Sequence, residues 1–210
     1  VKFKVDAAVD IKGICKATGK NNRAKVEKAH ELSKDSAQYA NLIFLCDRVV
    51  RGFSIAADVQ DEIGGHYVDG QLSWTNGHSI ENYFLSADLI GEGFRYLTSS
   101  AFKNGAVALF NECFPASIKL IAKLTLAAGE FENVSYPCGV VDWRSISVSP
   151  SGNVSIDFAQ ISNSAIQRFE AVFRGFESCV EASDLEVCAR LCRGHTAIVI
   201  LKRIFAACLF

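Results

Sequence analysis

The sequence predicts an α/β fold in which a mostly parallel β-sheet is flanked by helices, followed by a helical part and a β-hairpin. Three observations lead to this prediction. Strand-like and helix-like patterns alternate over roughly the first 85 residues, which is typical of α/β proteins. Helical periodicity dominates residues 87–130, and two short alternating segments flank a Pro-Ser-Gly-Asn turn at residues 150–153.

Length and charge limit the classes of protein to which the chain can belong. Its 210 residues suit one domain, with an α/β core over residues 1–90 and a helical and hairpin elaboration over residues 91–210 packed on it. The formal net charge of -1 does not indicate a general polyanion-binding surface, so a nucleic-acid site has to rest on a local patch. Residues 196–210 are apolar but too short to span a bilayer, and Lys202 and Arg203 interrupt them. We therefore expect no membrane partner and a cytoplasmic protein.

The N-terminal part is expected to alternate strands with helices. The predicted strands are residues 1–5, 42–46 and 66–73, and the predicted helices are residues 7–17, 23–34 and 55–63. Residues 42–46 form a continuous apolar run, which is typical of a strand buried on both faces of a parallel sheet. Gly64 and Gly65 would end the third helix.

The C-terminal part is expected to be mainly helical. The predicted helices are residues 87–97, 101–114, 116–130, 164–179 and 183–191, with a last helix from residue 195 onward. Pro115 is placed in the first turn of its helix, where the missing N–H costs little. The hairpin is predicted to pair residues 145–149 with residues 154–158.

Residues 74–85 combine a turn with several polar side chains. Asn76 and Gly77 tolerate positive φ and predict a turn, after which a short helix begins at His78 or Ser79. On a helix, His78, Glu81 and Asn82 would share one face. The stretch is either a capped helix start with a solvated polar face or part of a functional site.

Acidic residues follow each of the three predicted strands. Asp6 and Asp10 follow the first strand, Asp47 the second and Glu81 the third. Ligands of open α/β sheets bind beyond the carboxyl ends of the strands. Carboxylates brought together there repel one another unless a hard divalent cation such as Mg²⁺ or Mn²⁺ binds between them. Each acid taken alone is also explained as a solvated loop residue or a helix cap.

The eight cysteines are interpreted as reduced, because a chain of this length can build a core without disulfides. One cluster suggests an alternative. The spacing of Cys188, Cys192 and His195 could place three zinc ligands on one helical face, although paired C-x-x-C motifs are absent.

Several of these motifs resemble a known family. Asp6-Ala-Ala-Val-Asp10 resembles the glutamate-glycine-x-x-aspartate opening of TOPRIM domains, and residues 42–47 resemble their apolar strand ending in aspartate. Residues 79–83 resemble the IENYL signature of a TOPRIM-like family of unknown function, found beside OLD-type and RecF-like ABC ATPases in bacterial phage defence. Residues 193–195, Arg-Gly-His, resemble its closing helix motif. The resemblance implies a TOPRIM/Rossmann-like fold, Mg²⁺-dependent nuclease chemistry on DNA or RNA, and an ATPase partner.

The resemblance also implies roles for individual residues. Asp6 stands at the position of the general acid/base glutamate, Asp10 at that of the next aspartate, and Asp47 at that of the first metal-binding aspartate. Two departures put the activity in doubt: Asp6 is one methylene shorter than glutamate, and Val49 replaces the second aspartate of the D-x-D motif. A metal would then depend on Asp47, Glu81 and Asp6.

Phosphate or nucleic acid would be contacted by the basic and amide side chains nearby. These candidates are Arg48, Arg51, His78 and Asn82. Arginine suits this role because its planar guanidinium binds phosphate in two places at once. The alternative function is a catalytically degenerate module that binds a protein partner or nucleic acid without cleaving it, which Val49 favours.

Overall fold

The structure is a computed structural model, and the residues that it describes are 4–7, 22–161 and 165–210. It is a mixed α/β structure that is 57% helical. The α-helices of these ranges are α1 (Asn22–Ser33), α2 (Ala87–Leu97), α3 (Lys103–Glu130), α4 (Tyr136–Val140), α5 (Ile166–Gly175), α6 (Glu177–Ala182), α7 (Leu185–Leu191) and α8 (Gly194–Cys208). The strands are β1 (Phe44–Cys46), β2 (Phe53–Ile55), β3 (Val59–Asp61), β4 (Tyr67–Asp69), β5 (Leu72–Trp74), β6 (Ile146–Val148) and β7 (Val154–Ile156).

Helix α3 is the centre of the hydrophobic core. Its side chains Phe110, Ile118 and Leu124 are fully buried, and α2, α5, α6, α7 and α8 pack around it. Ile200 and Ile204 of α8 are also fully buried. The elaboration predicted for the C-terminal part therefore contains the main core of the protein.

The prediction that Pro115 separates two helices is wrong, because α3 is one helix of 28 residues with Pro115 in its interior. Proline in a helix interior removes one backbone hydrogen bond and crowds the preceding turn. Packing on several sides outweighs this cost, since the neighbours Phe114 and Ser117 are buried and Ser117 Oγ donates a 2.8 Å hydrogen bond to the Cys113 carbonyl.

Within the described residues, α3 is also the one helix that is long and apolar enough to cross a membrane by length and composition. Half of its most apolar window is buried inside the protein. A core helix of a soluble protein meets the same criterion, so the finding is weak evidence for a membrane partner.

The predicted mostly parallel sheet is wrong, because the strands form three small sheets of two or three strands. One sheet has the order β1-β5-β4, in which β1 and β5 are parallel and β4 and β5 are antiparallel. Strands β2 and β3 form an antiparallel pair, and so do β6 and β7. The prediction of a TOPRIM/Rossmann-like architecture is therefore wrong.

Part of this difference lies in residues 55–63, which were predicted to be a helix. Ile55 and Val59 instead face each other across the β2–β3 hairpin. Val59 is buried in the helical core, and its N–H donates a 2.7 Å hydrogen bond to Ser183 Oγ. Because Ser183 is far away in the sequence, a local pattern does not reveal this partner. The predicted strand 66–73 is divided by Gly70, whose φ of 57° forms the turn between β4 and β5.

Helix α1 confirms the prediction at residues 23–34, and the β6–β7 hairpin confirms the prediction at residues 145–158. The predicted strand 1–5 and helix 7–17 fall mainly outside the described residues, and residues 4–7 have no regular secondary structure.

Candidate acidic site beside strands β1 and β5

The parallel pairing of β1 and β5 brings Asp47 close to the loop that carries Glu81. Cys46, the last residue of β1, lies opposite Trp74, the last residue of β5. The chain after Trp74 turns back through residues 75–79 into a 3₁₀ helix, Ile80–Phe84. The Asp47 carboxylate accepts a hydrogen bond from the backbone N–H of Ile80. The two predicted acids therefore share one edge of the small sheet.

The charges of these two acids influence each other. Partial burial raises the pKa of Asp47, and the neighbouring Glu81 carboxylate raises it further, while the Ile80 N–H opposes both effects. Burial also acts to raise the pKa of Glu81, but the hydrogen bond from the Ser79 side chain, a backbone N–H hydrogen bond and the interaction with His195 outweigh it, so this pKa is lowered. The pKa values of the two acids are thus shifted in opposite directions, that of Glu81 downward and that of Asp47 upward.

The amino-terminal end of α8 contacts the Glu81 side chain directly. A Cβ atom at Gly194 would overlap Ser79 Oγ and would lie 2.7 Å from Glu81 Oε2. Only glycine allows this close approach. His195 follows on the exposed side of the helix, where its charge lowers the pKa of Glu81. The Arg-Gly-His motif and the acidic stretch therefore meet, although they are more than 100 positions apart in the sequence.

Asn82 connects the 3₁₀ helix to the end of α7. Its Nδ2 lies 2.7 Å from the carbonyl oxygen of Ala189 and 2.9 Å from that of Cys192. Its Oδ1 accepts a 2.8 Å hydrogen bond from the N–H of Ser79. The predicted role was phosphate or nucleic-acid binding, but both ends of the amide already bind within the protein.

His78 is largely buried in the same loop. Burial, and then the charge of Arg193, lower its pKa to about 4, so the imidazole is neutral near pH 7. Its backbone N–H donates to the Arg190 carbonyl at 2.7 Å, and its own carbonyl accepts from the Val49 N–H at 2.8 Å. A neutral imidazole can orient a ligand by hydrogen bonding but does not balance phosphate charge.

The two arginines proposed as phosphate ligands differ in exposure. Arg48 is 1% exposed, and its guanidinium binds the Asp61 carboxylate and the carbonyl oxygens of Arg51, Gly52 and Asn76. Arg51 is partly exposed, lies 3.9 Å above the Trp74 ring and forms a 3.1 Å ion pair with Glu27. Arg48 therefore binds inside the protein, whereas Arg51 reaches the surface.

The structure does not bring Asp6 together with the other acids. Asp6 is exposed and pairs with Lys4 at 3.0 Å, and the carboxylate that acts on Asp47 is that of Glu81. Asp10 lies outside the described residues. The described part of the predicted site is thus a pair of carboxylates.

A pair of carboxylates is compatible with Mg²⁺. No group of three His, Cys, Asp or Glu side chains in the described ranges could hold a metal ion. Mg²⁺ often binds through only one or two carboxylates, with water and substrate phosphates completing its octahedron. Burial is the larger cause of the raised pKa of Asp47, and repulsion from Glu81 is the smaller cause, which a cation between the two carboxylates would relieve.

The zinc arrangement of Cys188, Cys192 and His195 is not formed. Both cysteines are fully buried, and burial raises the pKa of the Cys188 thiol to about 11 and that of the Cys192 thiol well above its ordinary value. Their sulfurs approach the carbonyl oxygens of Val180 and Ile118, whereas His195 is exposed. Zinc requires thiolates, which these surroundings disfavour.

The chain matches no protein-family model and no curated protein. The resemblance to the TOPRIM-like family therefore rests on the motif residues alone and stays a prediction.

Two surface cavities, of about 410 and 530 Å³, lie on another part of the molecule. The first is lined by residues such as Asp142 and Gln160, and the second by residues such as Asp157 and Arg174. Neither is lined by Asp47 or Glu81. Asp47 is exposed instead, and Glu81 is half-buried beside it.

Proposed function

We propose that this protein cleaves phosphodiester bonds of DNA or RNA in a reaction that depends on Mg²⁺ or Mn²⁺, with Asp47 and Glu81 holding the cation. The observation that carries this proposal is that the parallel pairing of β1 with β5 brings the Asp47 and Glu81 carboxylates to one edge of the small sheet, close enough that Glu81 adds to the effect of burial in raising the pKa of Asp47. The resemblance of residues 47, 79–83 and 193–195 to family motifs supports the same chemistry and adds an ABC/OLD-type ATPase as a proposed partner in bacterial phage defence.

The surrounding residues would each have a defined task. Ser79 and the close approach of Gly194 hold the Glu81 carboxylate in place. The Ile80 N–H orients Asp47. His195, which is exposed and interacts with Glu81, would contact a phosphate oxygen or carry a proton. When bound, the cation would act as a Lewis acid on the scissile phosphate.

A second candidate function is binding of nucleic acid or a partner without cleavage. Val49 supports it, because this side chain offers no oxygen at the position of the second family aspartate. Changing Val49→Asp separates the two functions. If cleavage is limited by the missing ligand, Val49→Asp should increase the stabilisation by Mg²⁺ and raise the cleavage rate.

The test compares metal binding with cleavage. Mg²⁺ or Mn²⁺ should raise the melting temperature of the wild-type protein but not that of Asp47→Asn or Glu81→Gln. Cleavage of plasmid, single-stranded DNA or tRNA should fall by at least about 100-fold in both variants, since even indirect partners of a metal contribute about 10- to 100-fold. Asp69→Asn, which changes an exposed carboxylate of β4, is the matched control. Metal binding without cleavage would favour the second function, and absence of both would exclude the metal site.

A further inference from the structure

Helix α2 has two apolar faces, and only one of them packs against the rest of the protein. On the packed face, Ile90 is buried and the Phe94 ring meets the ring of Phe110 in α3 with centroids 5.8 Å apart. The other face, which we call the α2 stripe, consists of Leu89, Gly93, Tyr96 and Leu97. These positions are four, three and one residues apart, so they lie along one side of the helix.

The α2 stripe is open to solvent within the part of the chain that the structure describes. Leu89 is 54% exposed, Tyr96 is 90% exposed and Leu97 is 79% exposed. Single exposed apolar residues are normal on a protein surface, but three large ones along one side of a helix form a contiguous patch. Patches of this kind mark interaction sites.

Gly93 lies inside the stripe and allows another backbone to come close. It is exposed, and a Cβ atom there would meet nothing within 4 Å among the described residues. Glycine in a helix interior costs about 0.5–1 kcal/mol relative to alanine, so its presence here is not explained by the stability of α2 itself. A second helix that crosses at this glycine can approach closely, with the leucines packed on either side of the crossing point.

The charged residues of α2 all lie beside the stripe on one side. Asp88, Glu92 and Arg95 are exposed and spaced four and three residues apart. Arg95 Nε donates a 2.9 Å hydrogen bond to Glu92, whereas Asp88 has no ion pair with any described residue. Two acids followed by one base make the row negative at the start of the helix and positive at its end. Such a row is complementary to a copy of itself that runs in the opposite direction.

The order of these charges selects a second copy of this chain, in antiparallel orientation, as the occupant of the stripe. When two copies of α2 cross at Gly93 in this way, Leu89 of one copy lies opposite Leu97 of the other. Arg95 of one copy then lies next to Glu92 of the other copy and about one turn from its Asp88. A parallel pair would instead place like charges opposite each other, which is unfavourable.

We propose that this chain forms a twofold symmetric homodimer in which two α2 stripes pack antiparallel across Gly93. A twofold axis buries both stripes in one closed contact and leaves no further copy of the patch exposed. The 11 residues of α2 span about 16 Å, so the contact is short and the dimer is expected to be weak and reversible. This dimer goes beyond the proposed function and does not depend on it, because Asp47 and Glu81 take no part in the contact.

The dimer is measured by sedimentation velocity of the full chain over concentrations from about 5 to 500 µM. The average mass should rise with concentration from that of a monomer towards twice that value. Leu89→Glu and Leu97→Glu should each weaken dimerisation at least about 10-fold, because each places a charge inside an apolar contact. Val68→Glu is the matched control: it places the same charge on β4, at an apolar residue that is 63% exposed, and should dimerise as the wild type does. Circular dichroism establishes that the variants are folded.

A charge exchange tests the antiparallel orientation. Arg95→Glu makes the row wholly acidic, and Asp88→Lys combined with Glu92→Lys makes it wholly basic. Each of these proteins alone should dimerise roughly 10-fold more weakly than the wild type, because like charges face each other across the twofold axis. An equimolar mixture of the two should restore dimerisation, and salt at about 1 M should remove the preference by screening the exposed charges.

Each outcome decides the proposal. A monomer at every concentration would overturn it, and so would a dimer that Leu89→Glu and Leu97→Glu leave unchanged or that Val68→Glu alone disrupts. Binding of a monomer to vesicles of phosphatidylcholine and phosphatidylglycerol, lost in Leu97→Glu, would assign the stripe to a lipid surface instead. Weakening by both glutamate variants together with restored pairing in the mixture supports the antiparallel dimer, and weakening without restoration would reject that orientation.

Discussion

The side-chain amide of Asn82 donates a 2.7 Å hydrogen bond to the carbonyl oxygen of Ala189, in the last turn of α7. The same nitrogen also serves the carbonyl oxygen of Cys192. The last carbonyl groups of a helix have no hydrogen-bond donor within the helix, and here the Asn82 side chain is their donor. Gly77 makes room for this contact, because a Cβ atom there would lie 2.6 Å from Asn82 Cβ. The acidic stretch is thereby attached to the helical core.

Replacing Asn82 should therefore reduce stability strongly. Asn82→Ala leaves these carbonyl groups without their donor, and we expect a loss of about 2–3 kcal/mol in the free energy of unfolding. Asn82→Asp should cost at least as much, because a carboxylate would face the same carbonyl oxygens. Urea denaturation measures both, and Asn104→Ala, on the exposed surface of α3, is the control with little expected change. A loss below about 0.5 kcal/mol in Asn82→Ala would contradict the bridging role.

A second prediction concerns the contact between Gly194 and Glu81. In Gly194→Ala the new methyl group would be placed 2.6 Å from Glu81 Cβ and against Ser79, so the 3₁₀ helix and α8 have to separate. We expect a loss of about 1–3 kcal/mol in stability, as for overpacked core positions. Stabilisation by Mg²⁺ should weaken as well, because Glu81 is displaced.

Gly93→Ala is the matched control for this substitution. Gly93 is in the interior of α2, and a Cβ atom there meets nothing within 4 Å. Alanine in an open helical position usually stabilises by about 0.4–1 kcal/mol. Thermal denaturation of both variants should therefore give shifts of opposite sign. Equal shifts would show that the contact at Gly194 is relaxed in solution.

The local features of the site were predictable from the sequence. The helix start at Ser79 and a short apolar strand before Asp47 follow from residue preferences and are present in the structure. Leu45 is 50% exposed, however, so the prediction that this strand is buried on both faces is wrong. At Asn76 and Gly77 the chain bends without the positive φ that the predicted turn assumed. The placement of Asp47 and Glu81 at one edge required only the parallel pairing of β1 with β5. The helix start and the strand depend on neighbours in sequence, where local patterns are informative.

The remaining features depend on partners far away in the chain. Arg48 resembles a surface arginine in sequence, but it is buried because Asp61 lies opposite it and pairs with Arg190 as well. The Ala189 partner of Asn82 is 107 positions away. Tertiary contacts of this kind overrode the helix predicted at residues 55–63, and they also engage the Arg48 and Asn82 side chains, whose phosphate role stays a prediction.

A third prediction follows from the buried imidazole of His78. Its pKa is about 4 in the folded protein, against an ordinary value of 6.5. Between these two pH values the unfolded chain binds the proton and the folded chain does not, so stability is fully present above pH 6.5 and falls as the pH drops towards 4. The corresponding loss is about 3 kcal/mol at the acid end.

His78→Gln should remove this part of the pH dependence. The free energy of unfolding, measured in urea at several pH values between 7 and 4, should fall less steeply in His78→Gln than in the wild type. His66→Gln, which changes an exposed histidine, should retain the wild-type slope. Identical slopes in all three proteins would mean that His78 is protonated normally in the folded state.

The last prediction concerns Val49, which has a φ of 59° although it is β-branched. This left-handed conformation costs about 1–2 kcal/mol for ordinary L-residues, while asparagine tolerates it better. The hydrogen bond from its N–H to the His78 carbonyl, 2.8 Å long, holds the residue in place and does not involve the side chain. Val49→Asn should therefore stabilise the protein by about 1 kcal/mol and raise the melting temperature by about 2–4 °C. Val50→Asn, at a neighbouring position that is 50% exposed and lacks a positive φ, should give no gain, and an equal gain there would contradict the strain at Val49.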